Sequence, residues 1–163
     1  MAASGVFLIV SNFADARARS LLTSTYGGYP HITLVYTGAG TSIKLAALGA
    51  RVLEASLDAD NTPRRLTLRA DDVRVNTFEH AKSGRTRSDV LIALSAADAG
   101  FIERLRDQHV KPQAGAGTLV MREPHITQSI HWSAAAANEE AAEVRAALRA
   151  KPLDVYITGF TID

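Results

Sequence analysis

The tetrapeptide Pro-His-Ile-Thr occurs twice in this chain, at 30–33 and at 124–127, more than half the chain apart. Neither copy stands alone. Each follows an apolar run that ends in serine, Val6-Phe7-Leu8-Ile9-Val10-Ser11 or Val90-Leu91-Ile92-Ala93-Leu94-Ser95, and then an amphipathic stretch. Each is succeeded by a second helix-like stretch and a further strand-like segment. The order strand, serine, helix, Pro-His-Ile-Thr strand, helix, strand thus runs through the sequence twice. Such a repeat narrows the choice of fold to two similar lobes sharing one sheet or one cleft. At 163 residues the length suits one domain. No Pro-, Gly- or Ser-rich linker divides the halves, so the chain reads as a single domain over 1–163, with lobes of roughly 1–80 and 88–163.

Periodicity and turn residues fill in the elements. Val6–Val10 reads as a buried strand. A helix is expected from about Ala14 to Tyr26, ended by Gly27-Gly28, and a strand over His31–Thr37, closed by Gly38-Ala39-Gly40. Thr41 or Ser42 can cap a helix to about Leu57, and Asp60–Pro63 is a turn. Strands follow at Arg65–Ala70, Asp72–Thr77 and Asp89–Ser95, the last two separated by the polar loop His80–Arg87. A helix over Ala97–His109, a short Leu119–Met121 segment and a His125–Trp132 strand come next. Ser133 caps an Ala-rich helix to about Ala150, Lys151-Pro152 breaks it, and Val155–Ile162 is a final strand. The charged residues Glu139, Glu140, Glu143, Arg145 and Arg149 mark that last helix as one that packs by its other side.

Side chains alternate between the faces of a strand. His31, Thr33 and Val35 therefore share one face, as do His125, Thr127, Ser129 and His131. Alternation sends Tyr36 and Trp132 to the opposite side unless a bulge intervenes. A pseudo-two-fold between the lobes would deliver one His and one Thr from each to a common cleft. That set suits phosphodiester cleavage. The reaction needs a base for the attacking oxygen and an acid for the leaving one, and imidazole performs either task near neutral pH. Threonine hydroxyls can donate to the non-bridging oxygens where charge builds. The scheme calls for neither metal nor cofactor.

Bulk properties exclude other chemistries. Cysteine is absent, which removes disulfides, thiolate nucleophiles and Cys-based zinc sites and fits a reducing compartment. Net charge is +1, too small for a protein that coats duplex nucleic acid. The five-residue apolar run near the start is too short for a signal sequence or a membrane span, so the expectation is a cytoplasmic protein with no membrane partner.

Two His-x-Thr motifs, one in each half of a duplicated α+β fold, define the 2H phosphoesterase superfamily, and this sequence resembles it. The matching residues are His31-Ile32-Thr33-Leu34 and His125-Ile126-Thr127-Gln128, each after a proline; Gln128 departs from the usual apolar residue. The resemblance implies two pseudo-symmetric lobes with antiparallel sheet around a central cleft. It implies His31 and His125 as the acid/base pair and Thr33 and Thr127 as phosphate ligands. Its substrates are small: RNA ends bearing 2′,3′-cyclic phosphate, ADP-ribose cyclic phosphate, 2′,5′-oligoadenylates and cyclic oligonucleotide signals. A nucleotide-binding module without turnover is the alternative of another class. Substrate contacts are sought at Lys82, Arg85 and Arg87 of the basic loop, at Phe7, Phe78 and Tyr36 as stacking rings, and at His131 at the cleft rim. Phe7 also reads as core, His131 as a solvated strand end, and the basic loop as a solvated turn.

Overall fold

A computed structural model describes residues 4–12, 14–22, 30–37, 51–113, 119–120 and 122–162. The first apolar run is strand β1 (Ser4–Ser11) and the first motif opens β2 (His31–Thr37). β3 (Arg65–Leu68), β4 (Val73–Glu79) and β5 (Thr86–Ala93) follow, then the short β6 (Leu119–Val120). β7 (His125–His131) opens with the second motif, and β8 (Leu153–Ile162) ends the described chain. The fold is mixed α+β. One antiparallel sheet runs in the order β3-β8-β1-β2-β7-β5-β4, and β6 also pairs with β2.

The sheet does not respect the midpoint of the sequence. β4, from the first half, pairs with β5, whereas β8, from the second half, lies between β1 and β3. At the centre β2 and β7 share one residue pair, Ile32 with Ile126.

Local chemistry explains the helices. In α1 (Ala16–Leu21) the Asp15 side chain accepts from the Arg17 backbone N–H, which caps the first turn. The hydrogen-bonded Arg17 guanidinium holds the Asp15 carboxyl below the usual carboxylate range. The same guanidinium donates to the carbonyls of Lys151 and Pro152, pinning α1 to the entrance of β8. Ser95 caps α2 (Ala96–Leu105), which continues as a wider π turn through Val110 and a single 3-10 turn through Gln113. Ser133 caps α3 (Ala134–Ala150) by accepting from Ala136 N–H at 3.3 Å. The buried stripe of α3 is Ala137, Ala141, Val144 and Leu148, and its two alanines let the helix lie close on β4, β5 and β7. Of the helix expected up to Leu57, residues 51–55 are helical and its start lies outside the described residues; α1, expected to reach about Tyr26, ends at Leu21, with Leu22 off helical geometry.

One continuous apolar cluster sits between sheet and helices. It takes Val6, Leu8 and Val10 from β1, Ile32 and Leu34 from β2, Val90 and Ile92 from β5, Ile126 from β7, and Leu153, Val155 and Ile157 from β8. Away from the bulges the strands give every second residue to this cluster, and the alternate residues form a second face. Among the described residues no helix is long and apolar enough to cross a membrane.

Candidate active site

The pair at the sheet centre positions both motifs. Ile32 and Ile126 are fully buried and point into the apolar cluster. Their neighbours His31, Thr33, His125 and Thr127 must then stand on the opposite face, and all four are partly exposed. Antiparallel register about Ile32–Ile126 sets His31 across from Thr127 and Thr33 across from His125. Residues so opposed have Cβ atoms about 4.5–5.5 Å apart, and the diagonal between the two histidines is about 7–8 Å. A tetrahedral group fits within that diagonal.

Each motif strand then bulges at the same place. On β1, Phe7 opposes Thr33 but Val6 opposes Val35, leaving Leu34 extra. On β5, Leu91 opposes Thr127 but Val90 opposes Ser129, leaving Gln128 extra. The extra residue is the fourth of each His-Ile-Thr-x string, and it reverses the alternation beyond it. This corrects three expectations. Tyr36 returns to the His/Thr face, where its hydroxyl lies 3.4 Å from Thr33 Oγ1 and its ring centroid 5.9 Å from that of Phe7. His131 leaves that face: it pairs with Ser88, on the buried side of β5, and its Nε2 is 2.8 Å from Ser129 Oγ. It does not line the His125 cleft. Trp132, next along, comes back to the His125 side, with the Arg85 guanidinium 4.7 Å from its ring centroid.

The histidines have different supports. His125 Nδ1 lies 2.8 Å from the Glu123 carbonyl oxygen. A carbonyl only accepts, so Nδ1 carries a proton, and in the neutral ring the lone pair is on Nε2. The His31 ring meets Phe7 edge-on, with centroids 4.9 Å apart. Phe7 is thus part of the site face, half-buried, and not a core residue. Its ring lies over Gly5, where a Cβ would collide with the ring.

A cleft of about 300 Å³ opens beside His125. Its walls include Arg74 and Asn76 of β4, Leu91 of β5, and Arg122. Sequence reasoning missed these residues. The one available signal was the alternation Arg74, Asn76, Phe78 in β4, which acquires meaning only once β4 is known to lie beside β5. A second cavity of about 500 Å³, lined by Ser11, Asn12, Asp15, Arg19 and Pro30, contains none of the four motif side chains.

The basic loop is the tip of the β4–β5 hairpin. It closes through Gly84 N–H to the His80 carbonyl and His80 N–H to the Arg85 carbonyl, with Gly84 at φ +66°. The strands carry it roughly 20 Å from His125, at about 3.3 Å per residue. Lys82, Arg85 and Arg87 are therefore not gathered at the histidine pair. Arg87 is bound bidentately to Asp89, at 2.7 and 2.8 Å, and lies 5.0 Å over the Phe78 ring. Lys82 is exposed. Among the described residues no three His, Asp or Glu side chains are placed to hold a metal ion. No protein-family model matches the chain and no curated protein matches it in sequence.

Proposed function

We propose that the chain is a phosphodiesterase of the 2H type that opens a nucleotide cyclic phosphodiester, such as the 2′,3′-cyclic phosphate of an RNA end or an ADP-ribose cyclic phosphate. One observation carries the reading: the Ile32–Ile126 pairing sets two His/Thr pairs diagonally across one exposed face. The matched bulges, and the matched places of Phe7 beside Thr33 and Leu91 beside Thr127, support a duplicated fold with its axis through that pair.

In this scheme the phosphorus sits between the imidazoles. One takes a proton from the attacking water, and the new P–O bond forms in line with the breaking one. The other gives its proton to the departing ribose oxygen, so the pair ends with its protons exchanged and resets through solvent. Thr33 and Thr127 donate to the two non-bridging oxygens. With Nδ1 held by the Glu123 carbonyl, Nε2 is the nitrogen of His125 left for the substrate, as base in the neutral ring or as acid in the protonated one.

The test is a panel of 2′,3′-cyclic nucleotides, ADP-ribose cyclic phosphate, 2′,5′-oligoadenylates and cyclic oligonucleotides, with chelator present and products resolved by chromatography. His31→Ala and His125→Ala are each expected to lower kcat by about 10²–10⁴ without shifting the melting temperature appreciably. The pH–rate profile of the wild type should be bell-shaped. Turnover that survives either substitution, or turnover of no phosphodiester in the panel, overturns the proposal.

A further inference from the structure

Trp132 is the single tryptophan of the chain and, among the described residues, the one large apolar side chain that is exposed, at 44%. It is not a stray residue. The Arg85 guanidinium packs over its ring, and the His80 ring meets it nearly perpendicular, with centroids 5.3 Å apart. Lys82 stands exposed on the same turn. The pairs Asn76–Asp89 and Phe78–Arg87, continued by His80–Arg85, place this cluster on the face that carries His125. The apolar cluster and α3 occupy the other side of these strands. A strip of sheet thus runs from the histidine pair to the tryptophan, roughly 20 Å along β7, crossed midway by the largely buried Arg87–Asp89 ion pair.

The composition of the patch selects its occupant. A protein partner needs an apolar area wider than one ring, and residues 81–86 around the ring are Ala, Lys, Ser, Gly, Arg and Thr. A half-exposed indole flanked by cations suits a nucleobase joined to phosphates: the ring stacks on the base and Arg85 and Lys82 meet the backbone. We infer that Trp132, with Arg85 and Lys82, is a distal stacking platform for single-stranded RNA whose end lies between His31 and His125. The inference rests on the phosphodiesterase reading for what happens at that end, and it names the substrate as an oligonucleotide end, not a mononucleotide. At a stacked rise of about 3.4 Å per nucleotide the strip spans about six nucleotides, fewer if the strand is extended.

Because the chain holds one tryptophan, fluorescence excited at the red edge of the indole band, where the tyrosines do not absorb, reports on this platform alone. Single-stranded oligoadenylates of increasing length, ending in 3′-hydroxyl so that no turnover occurs, should quench it. Affinity should rise with length and level off by about six nucleotides. With a fluorescein-labelled hexamer read by anisotropy, Trp132→Ala should weaken binding about tenfold, Trp132→Phe should recover most of that loss, and Arg85→Ala should weaken binding as well. On 2′,3′-cyclic ends, the preference in kcat/KM for long over short substrates should collapse in Trp132→Ala. Absence of quenching, hexamer binding untouched by Trp132→Ala, or equal quenching by base-free polyphosphate overturns the platform. Quenching without hydrolysis of any panel substrate would instead sink the phosphodiesterase reading and leave the platform standing.

Discussion

Phe7 rests on a glycine, and that contact reaches the face that carries His31. The ring occupies space that a Cβ at position 5 would fill, and its edge abuts His31. Gly5→Ala is expected to push the ring toward His31 and disturb the imidazole by a fraction of an ångström. Displacements of that order cost between tenfold and a hundredfold in rate. Steady-state kinetics together with thermal melting check it: kcat should fall by about that factor while the melting temperature moves by a few degrees at most. An unchanged kcat would show that Phe7 does not set the histidine. His31, Thr33, His125 and Thr127 were legible in the sequence as residues sharing a face, because period-two alternation holds as far as each threonine. Tyr36 and His131 were not. Their facing depends on a bulge, and a bulge is a relation between a strand and its partner that a single strand does not announce.

At the level of elements, the second bulge also accounts for Gln128, the polar residue at the fourth position of the second His-Ile-Thr-x string. Gln128 is the extra residue of β7 and is buried. Its Nε2 donates to Glu140 Oε1 of α3 at 2.9 Å, while its own Oε1 has no partner among the described residues. A buried acceptor without a donor costs about 1–3 kcal/mol, and a hydrogen bond to a charged group returns about the same. The two effects offset each other. Gln128→Leu should therefore leave stability within about 1 kcal/mol of wild type, whereas Gln128→Ala, which adds a cavity, should lose about 2–4 kcal/mol. Urea unfolding distinguishes them; a loss of several kcal/mol in the leucine variant would assign the bond to Glu140 a larger role. Several strand and helix positions followed from pattern, although Thr86 and Arg87, expected in the loop, belong to β5. The His31–Thr37 strand and the Ser133-capped helix lie where the sequence put them, since a cap and an unbroken apolar period fix an element locally. The distance of the basic loop from the histidines was not legible. It depends on the β5–β7 register, which joins segments some forty residues apart.

For the whole molecule, the crossing of strands between halves matters most. β8 supplies an edge to both β1 and β3, and β4 supplies one to β5. Neither half of the sequence can complete its own part of the sheet. Fragments 1–84 and 85–163 should each lack cooperative unfolding when purified alone, and should regain native-like circular dichroism when mixed. A cooperatively melting fragment would contradict the pairing. The repeat in the sequence did not disclose this exchange, because it shows which segments are alike and not which ones lie side by side. The narrow join at Ile32–Ile126 has its own consequence. A sheet stitched across by a single rung resists bending there less than where ladders are continuous. The separation of the two imidazoles is therefore the softest dimension of the scaffold, and a ligand that grips both flanks would stiffen the molecule most at its waist.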